Sequence, residues 1–173
     1  GMLKRRGMTF HALLIGPVPT IPPRADMGLL KRLLGGTPYI QQLRALVAAE
    51  GLEHEVTFTG ERLDATRLTG QFDVLAAPFT EPHFSRLCAE AAAAGVVAVA
   101  FNIDGPGEEI IDGTTGLLAT PFDPHDLAEK LAHALTNPDT RKTMGDAARS
   151  RAAELFDAEK NVAAVLELYG RLM

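Results

Sequence analysis

The stretch Glu81-Pro82-His83-Phe84-Ser85-Arg86-Leu87-Cys88-Ala89-Glu90 lies between two apolar runs. Before it, Phe72-Asp73-Val74-Leu75-Ala76-Ala77-Pro78 reads as a buried strand. After it, Ala91 to Ala100 reads as a helix end, a stop at Gly95 and a second strand. The stretch is therefore the strand-loop-helix corner of a βαβ unit, with Glu81 on the loop and Glu90 on the helix. In open α/β sheets, ligands bind at that corner, outside the carboxyl ends of the strands.

Ser85 suits the N-cap of the helix that follows, and Gly95 suits its stop. The first-turn amides near Arg86, Leu87 and Cys88 would then point free N–H groups out of the sheet edge, an anion site suited to phosphate. Glu90 stands just over one turn in. Helical side chains lean toward the N-terminus, so its carboxylate can reach a hydroxyl held there. Carboxylates that accept from vicinal ribose hydroxyls are a known way of reading nucleotides. Glu81 can do the same for a second sugar. The plainer readings are a surface ion pair between Arg86 and Glu90, four residues apart, and an ordinary loop start at Glu81-Pro82.

A second corner is Gly105-Pro106-Gly107-Glu108. Its glycines let backbone approach a ligand closely. A helix starting near Glu108 would turn its amides toward the same mouth, whereas the plain alternative is a turn with Glu108 and Glu109 favourably placed at a helix start. Two such corners at successive strand ends favour a shared diphosphate cleft.

Around these corners the chain alternates strands and helices. Thr9–Gly16 reads as a central parallel strand buried on both faces. Pro17–Pro38 reads as a long irregular loop, with a short helix at Met27–Leu34. Helix Tyr39–Glu50, strand His54–Gly60 and a helical piece at Thr66–Gln71 follow. Strands Asp73–Ala77, Val96–Ala100 and Leu117–Thr120 come next, with the helix Arg86–Ala94 between the first two. From Asp123 the chain is helical. Asp123 caps a helix to Leu135, Asn137-Pro138 caps one to about Glu154, and Asp157 caps a last one. That last helix carries the apolar residues Val162, Val165, Leu166 and Tyr169, suited to the core or to a facing domain. The pattern implies an α/β fold with a doubly wound parallel sheet, Rossmann-like, in three α/β/α layers.

The 173 residues suffice for one domain with a proper core. A formal net charge of −5 argues against nucleic acid or an anionic membrane surface as main partner. Cys88 is the only cysteine, so no internal disulfide forms. No run approaches the ~20 apolar residues of a membrane helix. The histidines are scattered and Asn102-Ile103-Asp104 is a poor Asp-x-Asp copy, so we expect no metal. Gly1 before Met2 reads as a tag scar. Leu3-Lys4-Arg5-Arg6-Gly7 reads as the last turn of a helix with a glycine stop, so we expect the chain to be cut from a longer protein.

The sequence resembles the C-terminal, donor-binding domain of the retaining GT-B glycosyltransferases of family 4, the glycosyl transferases group 1 domain, from about Met8 to Met173. Leu13-Leu14-Ile15-Gly16 and Val56-Thr57-Phe58-Thr59-Gly60 are similar to two of its strands ending in glycine. Glu81 to Ala91 resembles its paired-glutamate Glu-x7-Glu motif. Asp104-Gly105-Pro106-Gly107-Glu108 resembles Gly-Gly-x-Pro-Glu, and Asp112-Gly113-Thr114-Thr115-Gly116-Leu117-Leu118 resembles its Asp-Gly-x-x-Gly-Leu-Leu turn. The chain departs from the family at three positions. His83 lengthens the motif to Glu-x8-Glu, Ser85 replaces a glycine, and Asp104 replaces the first glycine of the pair.

The resemblance implies the C-terminal half of a GT-B fold, as one domain over 1–173 ending in a helix over 158–173. It implies transfer of a sugar, with retention, from a nucleoside-diphosphate sugar to an acceptor hydroxyl. Glu81 would bind donor-sugar hydroxyls as the catalytic carboxylate and Glu90 the ribose. Phe84, Ser85, Arg86 and Leu87 would line the sugar and diphosphate, with Gly105, Pro106, Gly107 and Glu108 closing the phosphate side. Gly60, Glu61 and Arg62 would lie beside the base. The resemblance further implies no cofactor, a cytoplasmic protein that associates with the inner membrane through the missing half, and a missing N-terminal acceptor domain. The family's basic Arg/Lys pair would also lie upstream, so the chain alone is expected to be inactive. Two other readings stand beside this one: a hydrolase using Glu81 and Glu90 as a carboxylate pair, and a non-enzymatic α/β nucleotide-binding or interaction module.

Overall fold

A computed structural model of the chain describes residues 1–16 and 39–172. The irregular loop over Pro17–Pro38 and the helix at Met27–Leu34 lie outside them. The chain divides into two compact units, Gly1–Ala65 and Thr66–Met173.

In the first unit, α1 (Met2–Arg5) is followed by β1 (Ala12–Ile15), α2 (Tyr39–Ala49) and β2 (Val56–Gly60). The two strands pair in parallel, Ala12 opposite Val56 and Leu14 opposite Phe58. The expectation of a strand buried on both faces is not met in β1, where Leu13 is 41% exposed. The apolar run there marks a strand but not its neighbours. α1 is tied to the α2–β2 connection by charge: Lys4 pairs with Glu55 at 2.7 Å and donates to the Gly51 carbonyl.

The second unit contains the remaining elements. They are α3 (Ala65–Thr69, whose first residue belongs to the first unit), β3 (Val74–Ala77), α4 (Arg86–Ala94), β4 (Val97–Phe101), α5 (Pro106–Glu109), β5 (Gly116–Ala119), α6 (Pro124–Thr136), α7 (Pro138–Leu155) and α8 (Ala158–Leu172). β3, β4 and β5 form a sheet in that order, all parallel. Parallel neighbours require a crossover between them, and α4 and α5 supply the two crossovers. Every residue of the central β4 is buried.

The two-residue period of β4 sorts its side chains between two cores. Ala98 and Ala100 join Ala77, Cys88 and Ile110. Val97 and Val99 join Leu117, Ala134 and Met144. The first face is thus closed by α4 through Cys88, and the second by α6 and α7 through Ala134 and Met144. Helices cover both faces, as a doubly wound Rossmann-like arrangement requires. The alanine face presents small side chains to α4, while the valine face presents larger ones to α6 and α7.

The helix ends follow local chemistry. Asp123 caps α6 by accepting from the His125 and Asp126 amides. Asp157 caps α8 by accepting from the Lys160 amide at 3.0 Å. Asn137 stands at the N-cap of α7 as expected, with Pro138 opening the helix, but its side chain makes no capping hydrogen bond there. Its side-chain amide donates instead to the His133 carbonyl at 2.8 Å, closing the end of α6. Four residues back lies an orphan carbonyl, and the amide N–H satisfies it. α7 packs on α4 closely enough that a β-carbon on Gly145 would stand 2.3 Å from the Gly95 carbonyl oxygen. Arg149 donates to the neighbouring Ala94 carbonyl. The stripe on α8 is not core: Val162, Val165, Leu166 and Tyr169 are all exposed.

Candidate functional site

The corner after β3 is built as its sequence dictates. Ser85 is buried, and its hydroxyl accepts from the Cys88 amide at 3.3 Å, so it caps α4. Gly95 ends the helix at φ 73°, in the left-handed conformation that suits glycine. The expected row of free amides is partly occupied. The Arg86 N–H donates to the Phe84 carbonyl, and the Cys88 N–H is held by Ser85. The Leu87 N–H makes no hydrogen bond among the described residues.

In front of this helix start lies an open cleft of about 380 Å³, lined by His83, Phe84, Arg86, Leu87 and Glu90. Glu90 reaches back toward it as its position in the second turn predicts. Its two oxygens lie 3.4 Å from the Arg86 Nε and from the Thr66 hydroxyl. The ion pair with Arg86 is therefore present, but both contacts are long. The carboxylate keeps accepting capacity for a ligand hydroxyl. Glu81 is exposed and stands outside the cleft lining, although its backbone carbonyl accepts from His83 Nδ1 at 2.8 Å. This bond makes Nδ1 a donor, since a carbonyl only accepts. The Phe79 ring packs edge-on to the imidazole at 4.3 Å.

The second corner meets the first through backbone. The His83 N–H points at the Asp104 carbonyl, 3.4 Å away. The His83 carbonyl sits over Gly105, where a β-carbon would come within 1.8 Å of its oxygen. Gly105 also has φ 97°, so glycine is required twice over. The residue that lengthens the motif, His83, is thus seated on this glycine. Pro106, not Glu108, begins the short helix α5, in which the amides of Glu108 and Glu109 fold back on the Gly105 carbonyl. They do not face the mouth. Glu108 is exposed and also lies outside the cleft lining.

The residue that reaches across is Glu109. Its Oε1 accepts from the Ser85 N–H at 3.0 Å, while its Oε2 is buried without a partner. Burial pushes its carboxyl above the ordinary range, and the Ser85 N–H and a charged His83 pull the other way. Sequence reasoning treated Glu109 only as a first-turn acid, and no local pattern marks its partner 24 positions away. Arg151 fixes the other side of α5, donating to the Glu109 and Glu108 carbonyls at 3.0 and 3.2 Å.

Gly60, Glu61 and Arg62 belong to the first unit. Gly60 has φ 71°, and Arg62 makes two hydrogen bonds to Asp64 at 2.8 and 2.7 Å, holding that carboxyl below its ordinary range. Among the described residues, no helix is long and apolar enough to cross a membrane.

An uncharacterized glycosyltransferase of Methanocaldococcus jannaschii is 28% identical over 148 residues, 85% of this chain and 42% of that protein. The alpha-1,3/1,6-mannosyltransferase of Mus musculus is 32% identical over 131 residues, 74% of this chain and 31% of its own length. The chain therefore spans about a third to two-fifths of these relatives. Among solved structures, a glycosyltransferase from Rickettsia africae superposes with a TM-score of 0.83 at 23% identity, covering 98% of this chain and 42% of that one. Anabaena HepE, solved in complex with UDP and glucose, gives a TM-score of 0.73 at 25% identity, covering 91% and 40%. The model of the glycosyl transferases group 1 family matches residues 12–151, so the chain belongs to that family.

Proposed function

We propose that this chain is the donor-binding half of a glycosyltransferase that takes a sugar from a nucleoside diphosphate and passes it to an acceptor hydroxyl with retention. The observation that carries this reading is the cleft lined by His83, Phe84, Arg86, Leu87 and Glu90 at the start of α4. Helix start, guanidinium and carboxylate meet there, the set needed for a phosphate beside a sugar hydroxyl. Family membership and a structural neighbour solved with UDP and glucose support it. They disfavour the hydrolase and the non-enzymatic module.

In this reading the diphosphate lies against the first turn of α4, held by Arg86 and the Leu87 N–H rather than by a metal ion. Glu90 accepts from the ribose hydroxyls and Glu81 from the sugar. In the net reaction, the bond from the anomeric carbon to the diphosphate oxygen breaks. One to the acceptor oxygen forms, and the acceptor proton leaves with the nucleotide. Little positive charge gathers here to stabilise the leaving group, so the chain alone binds weakly and does not turn over. An N-terminal acceptor domain supplies the rest. A cytoplasmic setting suits the unpaired Cys88, and membrane association belongs to the other half.

The test is an NMR titration of the 15N-labelled chain with UDP-glucose, GDP-mannose and free glucose. Binding reads as amide shifts at Phe84–Leu87 and Glu90 with a nucleotide sugar but not with glucose. No shifts at ~10 mM nucleotide sugar, well above a millimolar dissociation constant, would refute the assignment.

A further inference from the structure

Glu109 is a carboxylate in an unusual position. It extends from α5 to the Ser85 N–H, and Ser85 stands between Phe84 and Arg86 of the cleft. One oxygen is thus engaged, while the other is buried and without a partner among the described residues. Burial without a partner penalises the ionised form over the neutral acid.

The groups around it leave that imbalance in place. Arg151 spends its Nε and Nη2 on backbone carbonyls of α5. Glu108, next in the chain, adds like charge. The Cys88 thiol across the gap is itself pushed up to about 11 by burial and carries no charge. The Ser85 N–H and, after it, a charged His83 ring favour the carboxylate, without reaching Oε2.

We infer that Glu109 takes up a proton from solvent when the anionic donor docks at the start of α4, so that donor binding is coupled to pH. The inference rests on the donor reading of the same cleft. Phosphate charge arriving beside Ser85 adds repulsion to a carboxylate that already lacks a second partner. Protonation converts Oε2 to a hydroxyl and leaves Oε1 accepting from Ser85. The corner keeps its shape while one negative charge is removed. Glu109 acts through Ser85 and is a positioning residue.

The experiment measures dissociation constants of UDP-glucose and GDP-mannose from about pH 7.5 to about pH 5.5, by NMR, for the unsubstituted chain and for Glu109→Gln. The diphosphates of these probes do not ionise in that range, and both proteins retain His83. The unsubstituted chain should bind about threefold or more tightly at the acid end, with a slope below the one-proton limit of about tenfold per pH unit. Glu109→Gln should bind more tightly at neutral pH and lose the extra slope. Equal pH dependence in the two proteins overturns the inference and leaves the donor reading intact. Absence of binding at every pH overturns both. Where Glu109→Gln does not fold, the carboxyl 13C signal of Glu109 decides in the unsubstituted chain. It must titrate at higher pH with probe bound, and an unchanged midpoint refutes the coupling.

Discussion

The carbonyl of His83 rests on Gly105 so closely that a β-carbon there would lie 1.8 Å from the oxygen. Gly105→Ala should therefore destabilise the second unit by roughly 2–4 kcal/mol, from the clash and the φ of 97° together. Urea unfolding measures it. A loss below about 0.5 kcal/mol would mean the two corners do not bear on each other.

Glu90 is the carboxylate that lines the cleft with its accepting capacity only loosely used. Glu90→Ala should weaken nucleotide-sugar binding about tenfold to a hundredfold, the worth of a charged hydrogen bond to a hydroxyl. The fold should be unaffected, because its contacts at 3.4 Å are weak. Titration and the melting curve together separate the two effects.

Cys88 is 2% exposed, and burial pushes its thiol up to about 11. At about pH 8 it should resist a thiol-specific reagent in the folded chain and react at the rate of a free cysteine in denaturant. Rapid labelling of the native chain would place Cys88 outside the core.

The Thr120 amide and hydroxyl both donate to Asp126 at 2.7 Å, holding its carboxyl below the ordinary range. A depressed folded-state pKa stabilises the fold above the ordinary aspartate range. That contribution is lost as pH falls through the lower folded value. Asp126→Asn should accordingly be less stable than the parent near neutrality, with the difference shrinking in acid. Urea midpoints across pH test the convergence.

How much of this was legible depended on the reach of each interaction. The bounds of α4 could be read because cap and stop are local: Ser85 accepts from a residue three ahead, and Gly95 takes a left-handed turn. The valine and alanine alternation of β4 likewise encodes its two faces. The place of Asn137 at the start of α7 could be read, but not the partner of its side chain, because one amide can serve the helix behind it or the helix ahead and the sequence ranks neither. Glu109 was missed for a different reason. Its partner Ser85 is brought near only when two loops converge, and no periodicity records that. The burial of β1 was overestimated because an apolar run carries no information about which elements lie against it.

Every strand pair in the second unit is parallel, with β4 between β3 and β5. No hairpin is available to seed this sheet, so neither pairing forms before a crossover has closed its loop. The closure entropy of each crossover is therefore lost ahead of the pairing it permits. The unit should condense slowly, around β4, and the valine face of that strand stays uncovered during synthesis until Ala134 and Met144 have been made.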